Sequence, residues 1–333
     1  MITDARVLRP GFVPQDLHHR HGAIDALASS FTQYRGFDEP ENTLLTGPSG
    51  SGKTTLAKFV LDQLQRERLD IRWGYCYCIS DSSAAGALHA LLRDANLGAD
   101  LRPQGTPRSL YIDRLRDFDG KFVAVLDEVD VLADRSILQS LYQLRDVSMI
   151  MITVEEDAFM HDLDQRVKSR IQSARKLPLN RYTDAELQDI IWSRVDAGLE
   201  SRRVQSDAVD RIVERADGDA RLAIAYLRRA SKHVMRQGYE DLTSGVVETV
   251  AADAEAAIDE RLREQLNTHQ RLLLRVVREA GEISASELHE RYERQASTTK
   301  SQSQRRRYLA SLERYDLIES EGSGRGKRFS VHG

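Results

Sequence analysis

"GPSGSGKT", residues Gly47–Thr54, is a complete G-x-x-x-x-G-K-[ST] phosphate loop. Its surroundings fit the motif. An apolar run, "NTLLT", precedes it, and a helical pattern follows with Leu56, Phe59, Val60 and Leu64 on one face. Strand, loop and helix in that order aim backbone N–H groups and the positive helix end at a phosphate chain. Gly47, Pro48, Ser49, Gly50, Ser51, Gly52, Lys53, Thr54 and Thr55 are therefore the expected nucleotide-binding set. Lys53 is placed to reach the β- and γ-phosphates, and Thr54 to hold Mg²⁺.

A second motif lies downstream. "VAVLDEVD", Val123–Asp130, is four apolar residues followed by carboxylates. A buried strand that ends in Asp127 puts a metal-side carboxylate where open α/β sheets bind ligands. Glu128 is then placed to orient or deprotonate an attacking water. Three further segments complete an alternation of apolar strands and helices: "IRWGYCYCIS", "SAAGALHALLRDANLG" with a glycine cap expected at Gly98, and "VSMIMITV". Continuous apolar strands separated by helices indicate a parallel sheet covered on both faces.

Past residue 178 the strand pattern stops. Thr183 with Glu186 three residues on is a capping box, and amphipathic helices follow. The expected organisation is an α/β core at 1–178, an α-helical lid at 179–245, and a connecting helix with a winged helix at 246–333. No apolar run approaches the roughly 20 residues of a membrane helix, and "MITDARVLRPGF" lacks a signal-peptide pattern. A cytoplasmic, nucleoid-associated protein is the expectation. Cys76 and Cys78, two apart on a strand, read as buried thiols in a reducing compartment.

The C-terminal segment reads helix, helix, helix, hairpin. Leu272, Leu273, Val276 and Val277 mark one inward face, and Tyr308, Leu309 and Leu312 another. From Arg291 to Gly333 ten basic residues stand against five acidic ones, in a chain whose net charge is −4. Positive charge is thus concentrated where a winged helix would hold duplex DNA. Gln302, Gln304, Arg305 and Arg306 are expected to reach base edges, and Arg325, Lys327 and Arg328, in a glycine-rich loop, to hold phosphates. A protein-interaction winged helix is the competing reading.

The Asp-Glu pair after the strand resembles an AAA+ ATPase. "FVPQDLHHRHGAIDALASSF" followed by the phosphate loop is similar to the archaeal origin-recognition initiators, relatives of the eukaryotic origin recognition complex and the Cdc helicase-loading factor. That resemblance implies ATP or ADP with Mg²⁺ as cofactors. It implies that Val13, Pro14 and Arg20 line the adenine site. It places Arg166, in "DLDQRVKSRI", as an arginine finger and Arg221, in "GDARLAIAYLRRA", as a phosphate clamp beside the γ-phosphate. Origin-like duplex DNA, the replicative helicase and other initiator copies are the implied partners, and hydrolysis is a slow switch. One departure concerns the asparagine expected after "MIMI": Thr153 or Glu155 falls there, which weakens hydrolysis. Arg108 or Arg114 occupies the short stretch where relatives carry a DNA-touching insertion. Three rivals stand beside the initiator: a regulatory paralogue acting in transcription or on mobile elements, a ring-forming clamp loader or remodeller, and a nucleotide-binding scaffold.

Overall fold

The computed structural model describes residues 1–32, 41–103, 105–161, 163–322 and 326–331. Helix α1 (His21–Thr32) precedes β1 (Thr43–Thr46), and the phosphate loop leads into α2 (Lys53–Glu67). Next come β2 (Ile71–Tyr77), α3 (Ala84–Asp94), α4 (Arg108–Arg116) and β3 (Lys121–Asp127). The α/β unit closes with α5 (Ser136–Tyr142), β4 (Val147–Ile152), α6 (Glu156–His161), α7 (Gln165–Ile171) and β5 (Arg175–Pro178).

The five strands are parallel, in the order β2-β3-β4-β1-β5. Side-chain alternation divides the core between the two sheet faces. Val123, Val125, Ile150 and Ile152 pack under α1 and α2, with Leu27, Phe31, Leu56 and Val60. Ala124, Leu126, Met149 and Met151 pack on the opposite face, with Leu88, Leu91, Ile137 and Leu141. This is why β3 and β4 read as unbroken apolar runs. The order also places β4 between β1 and β3, so the end of β4 lies between the phosphate loop and Asp127.

Both cysteines are buried free thiols, as expected. The glycine cap is not where it was expected: α3 ends at Asp94, and Asn96 takes the left-handed turn with φ 57°, two residues before Gly98. Asparagine tolerates that conformation because its short side chain bonds locally.

The lid contains α8 (Asp184–Gly198), α9 (Ser206–Ala216), α10 (Ala220–Gln237) and the first half of α11 (Ser244–Gln265). The Thr183–Glu186 capping box forms in both directions. Val247, Val250 and Ala254 of α11 pack with the lid cluster, so α11 is part of the lid before it leads onward. Val7 and Leu8 join the same cluster, and Ile2 bridges to Leu199. The first residues of the chain thus pack on the lid rather than on the sheet that follows them.

The C-terminal unit runs α12 (Thr268–Ala280), β6 (Glu282–Ser284), α13 (Ala285–Gln295), α14 (Gln302–Arg314), β7 (Glu319–Glu321) and β8 (Arg328–Ser330). Its antiparallel sheet has the order β6-β8-β7, with one more strand than the hairpin expected from sequence. Leu272, Leu273, Val276, Val277, Tyr308, Leu309 and Leu312 are buried, as the periodicity required. Ile79 and Val131 of the α/β core belong to this same cluster. Burying an aliphatic side chain is worth roughly 1.5–3 kcal/mol, so the C-terminal unit is packed onto the core rather than loosely tethered.

Candidate functional site

The phosphate loop is folded tightly at the C-terminal edge of the sheet. Lys53 is buried, and its Nζ donates to the carbonyls of Gly47 at 2.6 Å and Pro48 at 2.8 Å. Desolvation lowers its pKa, and the carboxylates of Glu128 and Asp127 oppose that shift. Thr54 Oγ1 donates to Asp127 Oδ2 at 2.6 Å, and the Tyr75 hydroxyl donates to the same oxygen at 2.8 Å. Burial raises the Asp127 pKa, while these two hydrogen bonds pull it down.

Glu128 follows in a left-handed conformation, φ 56°, which turns the chain sharply at the strand end. Burial, with Asp130 and Asp127 beside it, pushes its pKa up to about 7. Thr153, at the end of β4, donates from Oγ1 to Asp130 Oδ1 at 3.0 Å. Glu155 is exposed, so of the two candidates Thr153 is the one in the site.

A cleft of about 840 Å³ opens here between core and lid. Ser49, Gly50, Gly52, Lys53, Thr54, Thr55, Asp127, Glu128 and Arg221 all line it. Arg221 also pairs with Asp219 at 3.4 Å. Its far wall adds Arg228, Arg229 and Lys232 of α10 and Arg261 of α11, cations that the sequence reading passed over. Arg228, followed by burial and then Arg229 and Arg236, depresses the Lys232 pKa, so the wall is a strongly positive field.

The N-terminal candidates are arranged differently from the expectation. Leu8, Pro10, Gly11 and Phe12 line the cleft, whereas Val13 packs against the core under α1 and α2. Pro14 is half-buried beside it. Arg20 is buried behind the loop, donating to the carbonyls of Ser51 at 3.1 Å and Asn180 at 2.9 Å, with Tyr182 stacked 3.9 Å from the guanidinium. Arg20 thus supports the loop from behind. Ser51 is buried within it. Arg166 stands exposed in the first turn of α7, outside the cleft lining.

On α14, Gln302 and Arg306 are exposed. Gln304 and Arg305 are not, which corrects the expectation that all four share an open face. Gln304 Nε2 donates to the Val131 carbonyl at 3.3 Å, and Arg305 pairs with Glu293 at 2.7 Å. Both lie on the stripe that continues through Tyr308, Leu309 and Leu312, so packing claims them. Lys327 pairs with Glu313 at 3.1 Å and Arg328 with Glu282. Arg325 lies outside the described residues. Arg108 donates to Ser136 and Ser140 at 2.6 Å each, and Arg114 pairs with Asp100 at 2.7 Å, so both are tied down locally.

At the back of the site the C-terminal unit reaches in. Arg314, in the last turn of α14, pairs with Glu128 Oε2 at 3.3 Å and Asp130 Oδ2 at 2.8 Å. Tyr315 lines the cleft next to it.

The residues present fit a magnesium nucleotide. A hydroxyl and a carboxylate converge on one point, a buried amine donates to loop carbonyls, and the loop has no room for a Cβ at Gly50. Comparison with known proteins agrees with the architecture. The AAA domain family matches residues 38–159. ORC1-type DNA replication protein 9 of Halobacterium salinarum is 35% identical over 332 residues, covering 99% of this chain and 94% of that protein. ORC1-type DNA replication protein 1 of the same organism is 35% identical over 88% of this chain and 95% of its own length. Among solved structures, the Aeropyrum pernix ORC1 protein in complex with DNA superposes with a TM-score of 0.74 at 25% identity, covering 99% of this chain and 94% of that one. With its phosphate loop, its Asp-Glu pair at a strand end and this extent of identity, the chain belongs to the ORC1-type DNA replication protein family and has an AAA+ core.

Proposed function

We propose that the chain is a nucleotide-dependent, DNA-binding replication initiator that recognises origin sites and recruits the replicative helicase. The observation that carries this reading is the assembled set of Lys53, Thr54, Asp127 and Glu128 at the mouth of a core–lid cleft, in a chain 35% identical over nearly its whole length to an ORC1-type replication protein. Bound Mg²⁺ with ATP would supply a polarised γ-phosphoryl group. Thr54 and Asp127 are the residues that would hold the metal, and Lys53 and Arg221 those that would clamp the phosphates. Glu128 would accept the proton of an attacking water. Thr153 stands where a carboxamide was expected, and its hydroxyl is already engaged by Asp130. That favours slow turnover, a switch rather than a motor. Arg166, exposed and outside this chain's own cleft, suits a role on a neighbouring copy's nucleotide.

Duplex DNA would lie against the exposed Gln302 and Arg306 of α14 and against Lys327 and Arg328 at the start of β8, with Arg325 as a further phosphate contact. The test is mapping of the tagged protein on the chromosome, with Lys53→Ala as control. Sharp occupancy beside replication start points, lost in the variant, is the expected result. Occupancy scattered over promoters or mobile elements would replace this reading with the regulatory paralogue, and no occupancy would replace it with a scaffold.

A further inference from the structure

The pairing of Arg314 with Glu128 joins two parts of the chain that are 186 residues apart. Arg314 ends α14, the helix whose other end carries exposed Gln302 and Arg306. A helix of this length is a rigid rod with a rise of about 1.5 Å per residue. Any tilt imposed at Gln302 is therefore felt at Arg314. The C-terminal unit is docked on the core by more than the ion pair, through α14 itself and through the junction of α11 and α12. Gln304 donates to Val131, Asn267 donates to the Ile79 carbonyl at 3.2 Å, and Ser80 donates to the Gln265 carbonyl at 3.1 Å.

Arg314 also bridges both carboxylates around the water-activating position. One arm of its guanidinium meets Glu128. The other meets Asp130, which in turn holds Thr153 at the end of β4. A bidentate cation between two largely buried carboxylates fixes both in one arrangement. A general base must instead have its lone pair aimed at the water it deprotonates.

We propose that Arg314 is a positioning residue that holds Glu128 in a restrained arrangement while the C-terminal unit is docked, so that lifting this unit releases hydrolysis. The proposal rests on the nucleotide reading of the cleft. It makes the occupancy of α14 the input and the freedom of Glu128 the output, within a single chain.

The test uses the full chain and compares wild type with Arg314→Ala and Arg314→Lys. Equilibrium binding of fluorescent ADP and steady-state ATP hydrolysis are both measured. The expected result is unchanged ADP affinity and KM with kcat raised by at least about fivefold in Arg314→Ala, the lower end of typical coupling between linked sites. Arg314→Lys, which keeps a charge but cannot bridge two carboxylates in one plane, should fall between the two. Adding Glu128→Gln to Arg314→Ala should remove the gain. Should Arg314→Ala fail to fold, Asp130→Asn breaks the other anchor from the core side and should also raise kcat. A kcat that falls or stays level with ADP binding intact would overturn the restraint and leave the nucleotide reading standing. Absence of ADP binding in the wild type would overturn both.

Discussion

The backbone N–H of Ala220 donates to the carbonyl of Gly50 at 3.2 Å, so the lid and the phosphate loop share a hydrogen bond. Asp219, the N-cap of α10, sits against the same glycine. Lid position and loop shape are therefore mechanically joined, and a change in one is transmitted to the other.

Gly50 should tolerate no side chain. Its φ is +74°, and a Cβ there would fall 2.0 Å from Asp219 Oδ1. Gly50→Ala is expected to cost roughly 1–2 kcal/mol from the backbone conformation alone and to weaken ADP binding by displacing the lid. Gly238, the C-cap of α10, with φ +70° and open space around it, lies outside the cleft lining and is the control. Gly238→Ala should cost stability without touching the lid contact. Equal effects on ADP binding in titrations of the two variants would refute the lid–loop coupling.

Lys53→Ala should abolish nucleotide binding yet leave the fold intact. The amine is buried and its charge is disfavoured there, so its removal also removes a desolvation cost. Thermal melting without nucleotide should be unchanged or slightly higher than in the wild type, and fluorescent ADP should no longer bind. A cooperative melt shifted strongly downward would mean that the lysine is structural.

Arg325→Ala combined with Arg328→Ala should lower the salt dependence of duplex binding by about two, close to one unit per lost phosphate contact. Gln304→Ala should leave that slope unchanged, because its amide is spent on Val131. Fluorescence anisotropy across a salt series measures both. If the double variant keeps the wild-type slope, the loop between β7 and β8 does not touch phosphate.

The C-terminal unit should weaken in mild acid. Burial and Lys300 hold His269 below the ordinary value of 6.5, with Tyr292 bonded to its Nδ1 at 2.7 Å. Burial, Arg305 and Arg306 do the same to His289, and Glu293 opposes them only partly. Each folded-state pKa is depressed, so the unfolded chain binds more protons as pH falls through 6.5. The stabilisation is present above that pH and is lost below it. Urea midpoints should drop between about pH 7.5 and about pH 5.5, and by less in His269→Gln. An equal drop in that variant would remove His269 from the account.

What could be read from the sequence was local. The phosphate loop and the Asp127–Glu128 pair are short motifs whose chemistry fixes their spacing, and the strands around them are apolar because both faces are covered. Long-range placement was not legible. Gln304 and Arg305 are polar side chains on a buried stripe, and only the Val131 carbonyl and Glu293 explain why burial tolerates them. Arg314 looked like one more basic residue of the tail until the fold brought it to Glu128. The cations of the cleft wall carried a signal that was missed: Arg228, Arg229 and Lys232 follow Arg221 at helical spacing along α10.

The packing of the first residues against the lid sets an order of events in folding. Val7 accepts a hydrogen bond from Arg194, a partner 187 positions away, and shares a cluster with Val250 and Ala254. During synthesis these first residues must wait until the lid has emerged. Contacts of such separation form late because the loop must close before they contribute. The strap from Met1 to Phe12 is therefore expected to settle only after the lid has formed and to peel away early under mild denaturant, exposing the lid's apolar flank before the sheet opens.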